Sequence, residues 1–181
     1  MRMRRAAVAF VVLVLVALAV AARRHGIDAD TLRGELLELG CFAAPAFIVA
    51  FALGELLHLP GIVFVIVARV VFGPTLGLAL GYAGALVALT VSFAVARGLL
   101  GAARATKEPW RPRVRLLRRA FEMLEAHPVR SIALLRLVLW LAPPLTYALA
   151  ATKIRFRDHV LGCAAGLVIP VLLANVVGGL F

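Results

Sequence analysis

Cysteine is almost absent from this chain, and its scarcity removes whole classes of function. Cys41 and Cys163 are the two thiols in 181 residues. Both sit in apolar runs and are too few for a disulfide framework or a zinc-ligand cluster, so they read as small buried hydrophobes. Also missing are the G-x-x-x-x-G-K phosphate loop, the H-E-x-x-H metal pair and the G-x-S-x-G nucleophile elbow, each of which places a specific chemistry at a specific spacing. Ser92 and Ser131 have no histidine in register for intramembrane hydrolysis, and Asp158 with His159 reads only as an adjacent pair at a membrane boundary. No catalytic residue, metal or cofactor is therefore expected, and the chain reads as a non-enzyme. Acidic residues are scarce too: nine Asp and Glu stand against twenty Lys and Arg, for a net charge of +11.

What the chain has in excess is apolar side chains. They make up 64% of the sequence, with a mean hydropathy of +1.02, where a soluble domain carries about 45 to 50% apolar residues. A soluble fold of this size could not hide so much apolar surface, so an integral membrane protein is expected, with one membrane domain. The basic excess is read in that light. Nine of the twenty basic residues fall between Arg97 and Arg130, as in a cytoplasmic loop facing anionic headgroups. Membrane lipids, anionic phospholipids above all, are the expected partners; nucleic acid is not expected, and a homo-oligomer is left open.

Along the chain, residues 6–22 are uncharged, with Arg2, Arg4 and Arg5 before them and Arg23 and Arg24 after. A cleaved signal peptide is one reading, since Ala17-Leu18-Ala19 and Ala19-Val20-Ala21 resemble a small-residue cleavage site. The other is an uncut first helix with a cytoplasmic N-terminus, favoured because the run exceeds the usual apolar region of about 7 to 15 residues. Residues 28–39 mix Asp28, Asp30, Glu35 and Glu38 with four leucines, as in a short amphipathic helix on the outer surface or a plain connecting loop. Residues 1–40 thus form an N-terminal region ahead of a membrane domain at 41–181.

Two apolar pieces follow, 41–54 and 59–72, joined through Glu55-Leu56-Leu57-His58 and broken at Pro60-Gly61. Each measures about 21 Å as a helix, short of a hydrocarbon core of about 30 Å, which predicts the two arms of a re-entrant hairpin. After Gly73-Pro74, residues 75–96 make a full-length span. Gly73, Gly77, Gly81 and Gly84 form a small-residue stripe on it, read as a helix-packing face, with glycines tolerated in a lipid-facing helix as the alternative. The basic loop, 98–130, carries Val114, Leu117, Phe121 and Leu124 at helical spacing, with Arg115, Arg118 and Arg119 on other faces. That pattern predicts an amphipathic helix whose arginines contact the anionic inner leaflet; a solvated linker helix is the alternative.

Residues 131–152 are apolar, with Arg136 near the start and Pro143-Pro144 in the middle, and basic residues flank them on both sides. If both ends are cytoplasmic, the segment enters and turns back, with the proline pair supplying the turn. Residues 160–181 form the last span. The expected fold is therefore all-α and integral to the membrane: transmembrane helices plus two oppositely oriented re-entrant helical hairpins, an inverted repeat of the transporter kind.

Ionisable groups at depth are costly and mark function by default. Glu55 is expected near the midplane. Arg136, about 7 to 8 Å into its arm, is near enough to the surface to snorkel there. Arg69 is placed among headgroups, and His58 is either a proton relay or a structural hydrogen-bonding residue. With Pro60, Pro143 and Pro144 at the breaks, these residues make the candidate transport path.

Leu59-Pro60-Gly61, Phe72-Gly73-Pro74 with Gly77 to Gly84, the run Leu134-Leu135-Arg136-Leu137 with prolines after it, and Phe156-Arg157-Asp158 leading into Gly166 and Pro170 together resemble the VTT-domain membrane proteins. That family includes DedA proteins and SNARE-associated Golgi proteins, and the likeness covers about residues 41 to 181. The resemblance implies two oppositely oriented re-entrant hairpins and translocation of lipids or lipid-linked phosphates between leaflets, proton-coupled in some members. It maps the family's acidic residue in the first hairpin to Glu55 and its arginine opening the second to Arg136. The chain departs from the pattern where the family often has prolines three and six residues after that arginine; here Leu139 and Ala142 stand there. The expectation is a lipid translocase, multi-pass in a bacterial inner membrane, with a non-transporting scaffold or a small ion or solute transporter as alternatives.

Overall fold

A computed structural model of the chain describes residues 34, 38–104, 123–124, 126–140 and 143–179. The expected first span at 6–22, most of the segment at 28–39, and the surface helix with Arg115, Arg118 and Arg119 lie outside the described residues. The chain divides into two units, Met1–Ala43 and Ala44–Phe181. In the first, Gly40–Phe42 form a short 3-10 turn. Beyond it the described residues form six helices: α1 (Ala43–Leu56), α2 (Gly61–Phe72), α3 (Pro74–Arg104), α4 (Pro128–Leu139), α5 (Pro143–Ala150) and α6 (Phe156–Gly178). No strand occurs among the described residues.

Among the described residues, two stretches are long and apolar enough to cross a bilayer: Pro74–Leu99 in α3, 26 residues, and Phe156–Gly178, 23 residues. At 1.5 Å per residue they measure about 39 and 35 Å, against a hydrocarbon core of about 30 Å. Each of the other four helices is too short to cross alone.

The breaks between helices follow from local chemistry. The end of α1 is a Schellman motif: the Leu59 N–H donates to Gly54 O (2.8 Å) and the His58 N–H to Glu55 O (3.1 Å), with His58 at the left-handed position (φ 63°) where glycine is usual. Pro60 is extended ahead of α2. Gly73 ends α2 at φ 83°, donating its N–H to Arg69 O, and Pro74 opens α3, where its missing N–H costs nothing. In the second pair the break falls earlier than expected. Trp140, at φ 51°, ends α4, and Pro143-Pro144 are the first residues of α5. The prolines start a helix rather than make the turn, because the first helical turn needs no N–H donor. Helix α6 also begins earlier than the expected span, since Asp158 in its first turn is favourable beside the positive end of the helix dipole.

Ring pairs align α1 with α2 in opposite directions: Phe47 lies 5.6 Å from Phe72, and Phe51 stacks on Phe64 at 4.7 Å. Helix α2 then lies on α3 through glycines. A Cβ on Gly77 would collide with the Ala68 carbonyl, and one on Gly81 would touch Val65; Gly84 meets Phe51 and Phe47 of α1 instead. Gly73 faces open space and serves as the helix stop. The same device joins α4 to α6, where a Cβ on Gly162 would sit 2.6 Å from Ile132 Cβ and one on Gly166 2.5 Å from Ala133 O. Helices α3 and α6 run antiparallel. The Tyr82 hydroxyl donates to Ala164 O (2.7 Å), and near the far end of α3 the Arg97 guanidinium donates to Thr152 O and Ile154 O. Phe51, Leu89, Phe93, Ile132, Leu149 and Leu167 fill the interior. The outside of α6 carries Leu161, Val168, Ile169, Leu172, Leu173 and Val176 exposed. So continuous an apolar exterior is what a lipid-facing helix presents.

Candidate functional site

Glu55 occupies the last turn of α1. Its position in depth follows from Phe51, one turn earlier, which lies against Gly84, ten residues and about 15 Å into α3. Glu55 is 0% exposed, and neither carboxylate oxygen has a hydrogen-bond partner. That is unusual for a charged group in an apolar interior, where an unpaired polar atom costs several kcal/mol.

Arg136 reaches the same middle layer from the other side. Its Cβ lies 2.7 Å from where a Cβ on Gly166 would stand, ten residues and about 15 Å into α6. It too is 0% exposed. The guanidinium donates to Thr146 Oγ1 of α5 (2.7 Å) and to Trp140 O (3.3 Å), while Nε has no partner. The expectation that Arg136 snorkels to the surface is therefore corrected. Close packing on Gly166 and the bond to Thr146 turn the side chain inward, which counting residues along its own helix could not reveal. No direct ion pair joins Glu55 and Arg136, although the guanidinium charge acts on the carboxylate through space.

The other expected path residues are placed differently. The His58 ring is exposed and stacks on Tyr147 of α5, centroids 5.0 Å apart and 6° from parallel. Pro60 is half-buried at the start of α2, and Pro144 is exposed at the start of α5. Arg69 stands away from the charge pair: its side chain lies along Gly178 and Gly179, where α2 and α6 both end. A cation there balances the negative ends of two helix dipoles.

Several members of the site were missed in the sequence. His159 is not a boundary residue. It is fully buried, stacked on Phe93 of α3 at 3.9 Å, with Cys163 Sγ 3.5 Å from its Nε2. Thr146 and Ser92 are fully buried as well, Ser92 without a partner. The i, i+4 spacing of His159 and Cys163, flanked by Gly162 and Gly166, was the available signal for an inward face.

Apolar crossing helices around a buried acid and a buried base define a helical membrane protein. The chain belongs to the VTT domain family, whose sequence model matches residues 59–180. Comparison with curated proteins and with solved structures gives no match. The matched span contains Arg136 and both glycine interfaces; Glu55 and His58 lie just before it.

Proposed function

We propose that this protein moves lipids, or lipid-linked phosphates, between the two leaflets of its membrane. In this reading the pairs α1–α2 and α4–α5 are re-entrant hairpins of opposite orientation, each packed on the crossing helix that follows or flanks it. The observation that carries the reading is Glu55 and Arg136 brought to mid-height at the inner ends of the two pairs, buried and not directly bonded. Such groups supply a polar station for a headgroup phosphate and its counter-ion while acyl chains stay in lipid. The glycine-lined contacts of α2 on α3 and α4 on α6 add support, since both pairs are docked by the same device. No catalytic role is proposed for any residue, and the N-terminus is placed in the cytoplasm.

Reconstitution into liposomes with leaflet-labelled phospholipid tests this function. Protein-dependent translocation is expected; its absence under conditions that preserve the fold would favour a scaffold. The hairpin reading has its own test. Cysteines placed at Val129 and Lys153, with Cys41 and Cys163 replaced, should be labelled from the same side of the membrane. Labelling from opposite sides would turn 131–152 into a crossing and remove the inverted repeat.

A further inference from the structure

Glu55 and Arg136 are both closed off from the surface, so a path through them must open somewhere. The interfaces of α2 with α3 and of α4 with α6 are poor candidates, because their backbones meet where a Cβ would not fit. Among the described residues, by contrast, the two pairs α1–α2 and α4–α5 share no extensive interface with each other. The His58–Tyr147 stack links α1 to α5 across the gap between them. It stands next to both charges: His58 follows Glu55 by three residues, and Tyr147 follows Thr146, the hydroxyl that holds Arg136. His58 is exposed and Tyr147 half-buried, so the stack lies where the buried charges give way to the surface. His58 also holds a left-handed backbone (φ 63°), which a residue with a Cβ adopts only against a steric cost.

We propose that the His58–Tyr147 stack is the gate of this polar site: joined, it seals Glu55 and Arg136, and parted, it admits a polar headgroup. The identity of the cargo rests on the translocation reading above; the opening does not. Cys163 reports on the opening, because it is fully buried between Gly162 and Gly166, where α4 and the Arg136 stem pack on α6.

The test measures reaction of Cys163 with N-ethylmaleimide in protein carrying Cys41→Ser. Tyr147→Ala and His58→Ala should each raise the labelling rate at least tenfold, while Tyr147→Phe, which keeps the stack, should leave it at the native rate. Leu149→Ala, a loss of buried packing on the same helix, should not raise it. Equal labelling of Tyr147→Ala and Tyr147→Phe, or equally fast labelling of Leu149→Ala, overturns the gate. A second arm bridges His58→Cys and Tyr147→Cys with a short bis-methanethiosulfonate in proteoliposomes, with Cys41 and Cys163 replaced by Ser. The bridge should stop translocation and a reductant should restore it; translocation that persists across the bridge overturns the gate. Faster labelling in the Ala variants without any lipid movement would support the gate and remove lipid as its cargo.

Discussion

At the inner end of α1 the buried charge is a carboxylate with no partner for either oxygen; at the inner end of α4 it is a guanidinium held by Thr146 and by the Trp140 carbonyl. Both helices stop at an aromatic residue with positive φ. Each charge is followed, three or four residues on, by an aromatic residue in the left-handed region, His58 at φ 63° and Trp140 at φ 51°, and no other described non-glycine residue has positive φ. The turns themselves differ, since His58 closes a Schellman motif whereas Trp140 has ψ −133° and returns its N–H to Arg136 O, and the two charges are satisfied to different degrees. A bonded arginine is a fixed element of the site. The carboxylate has no such hold on either oxygen, and in the proposed function it is the group that meets a ligand or a proton while the arginine anchors.

The largest effects should come from the interface that carries Arg136. Gly166→Leu would drive a side chain into Ala133 O and the Arg136 stem, and overpacking of this kind costs about 1 to 3 kcal/mol or more. Little folded protein should be recovered in detergent. Gly98→Leu, in open space, should fold normally; similar recovery of both would show that glycine does not dock α4.

Next come the charges themselves. Glu55→Gln and Arg136→Gln should each abolish translocation, since a neutral amide cannot compensate a phosphate or its counter-ion. Their stabilities should differ. Arg136→Gln gives up charge-assisted bonds worth about 1.5 to 3 kcal/mol each, whereas Glu55→Gln breaks no bond present in the fold. Thermal unfolding in detergent should show a clear loss for the arginine variant and little or none for the glutamate variant; equal losses would erase the distinction between anchor and binding group. Thr146→Val, which keeps shape but leaves one guanidinium N–H unpaired, should cost about 1 to 3 kcal/mol and reduce translocation without abolishing it. The smallest effect is expected at His58→Gly. Relief of the left-handed turn, about 1 kcal/mol, is offset by loss of a stack worth about 0.5 to 1.5 kcal/mol, so the melting temperature should barely move.

Residues 59–72 show how far the sequence could be read and where reading stopped. Pro60-Gly61 and Gly73-Pro74 set the ends of α2 within two residues, because proline and glycine act on their own backbone and nothing distant is needed. The pair Pro143-Pro144 misled for the same reason: proline is equally at home in a turn and in the first turn of a helix, and which occurs depends on where the preceding helix stops. Here the left-handed Trp140 stops it. His159 follows a polar stretch of the chain, but nearness to such a stretch in sequence is not nearness to the surface. Adjacent helix residues point about 100° apart, so Asp158 can sit at the edge while His159 lies inside against Phe93.

Composition and the lengths of apolar runs were enough to place this chain in a membrane and to mark α3 and α6, among the described helices, as long enough to cross it, since hydrophobic burial is additive and depends on residue type more than on neighbours. The positions of proline and glycine likewise fixed most helix ends through local dihedral preference. Only the tertiary structure decided that Arg136 turns inward to Thr146, that Glu55 is left without a partner, and that His58 meets Tyr147 of α5. Those outcomes depend on how closely backbones approach at Gly77, Gly162 and Gly166, and hydrogen bonds and ring stacks are short-ranged and directional, so a shift of one helix by an ångström would remake them all.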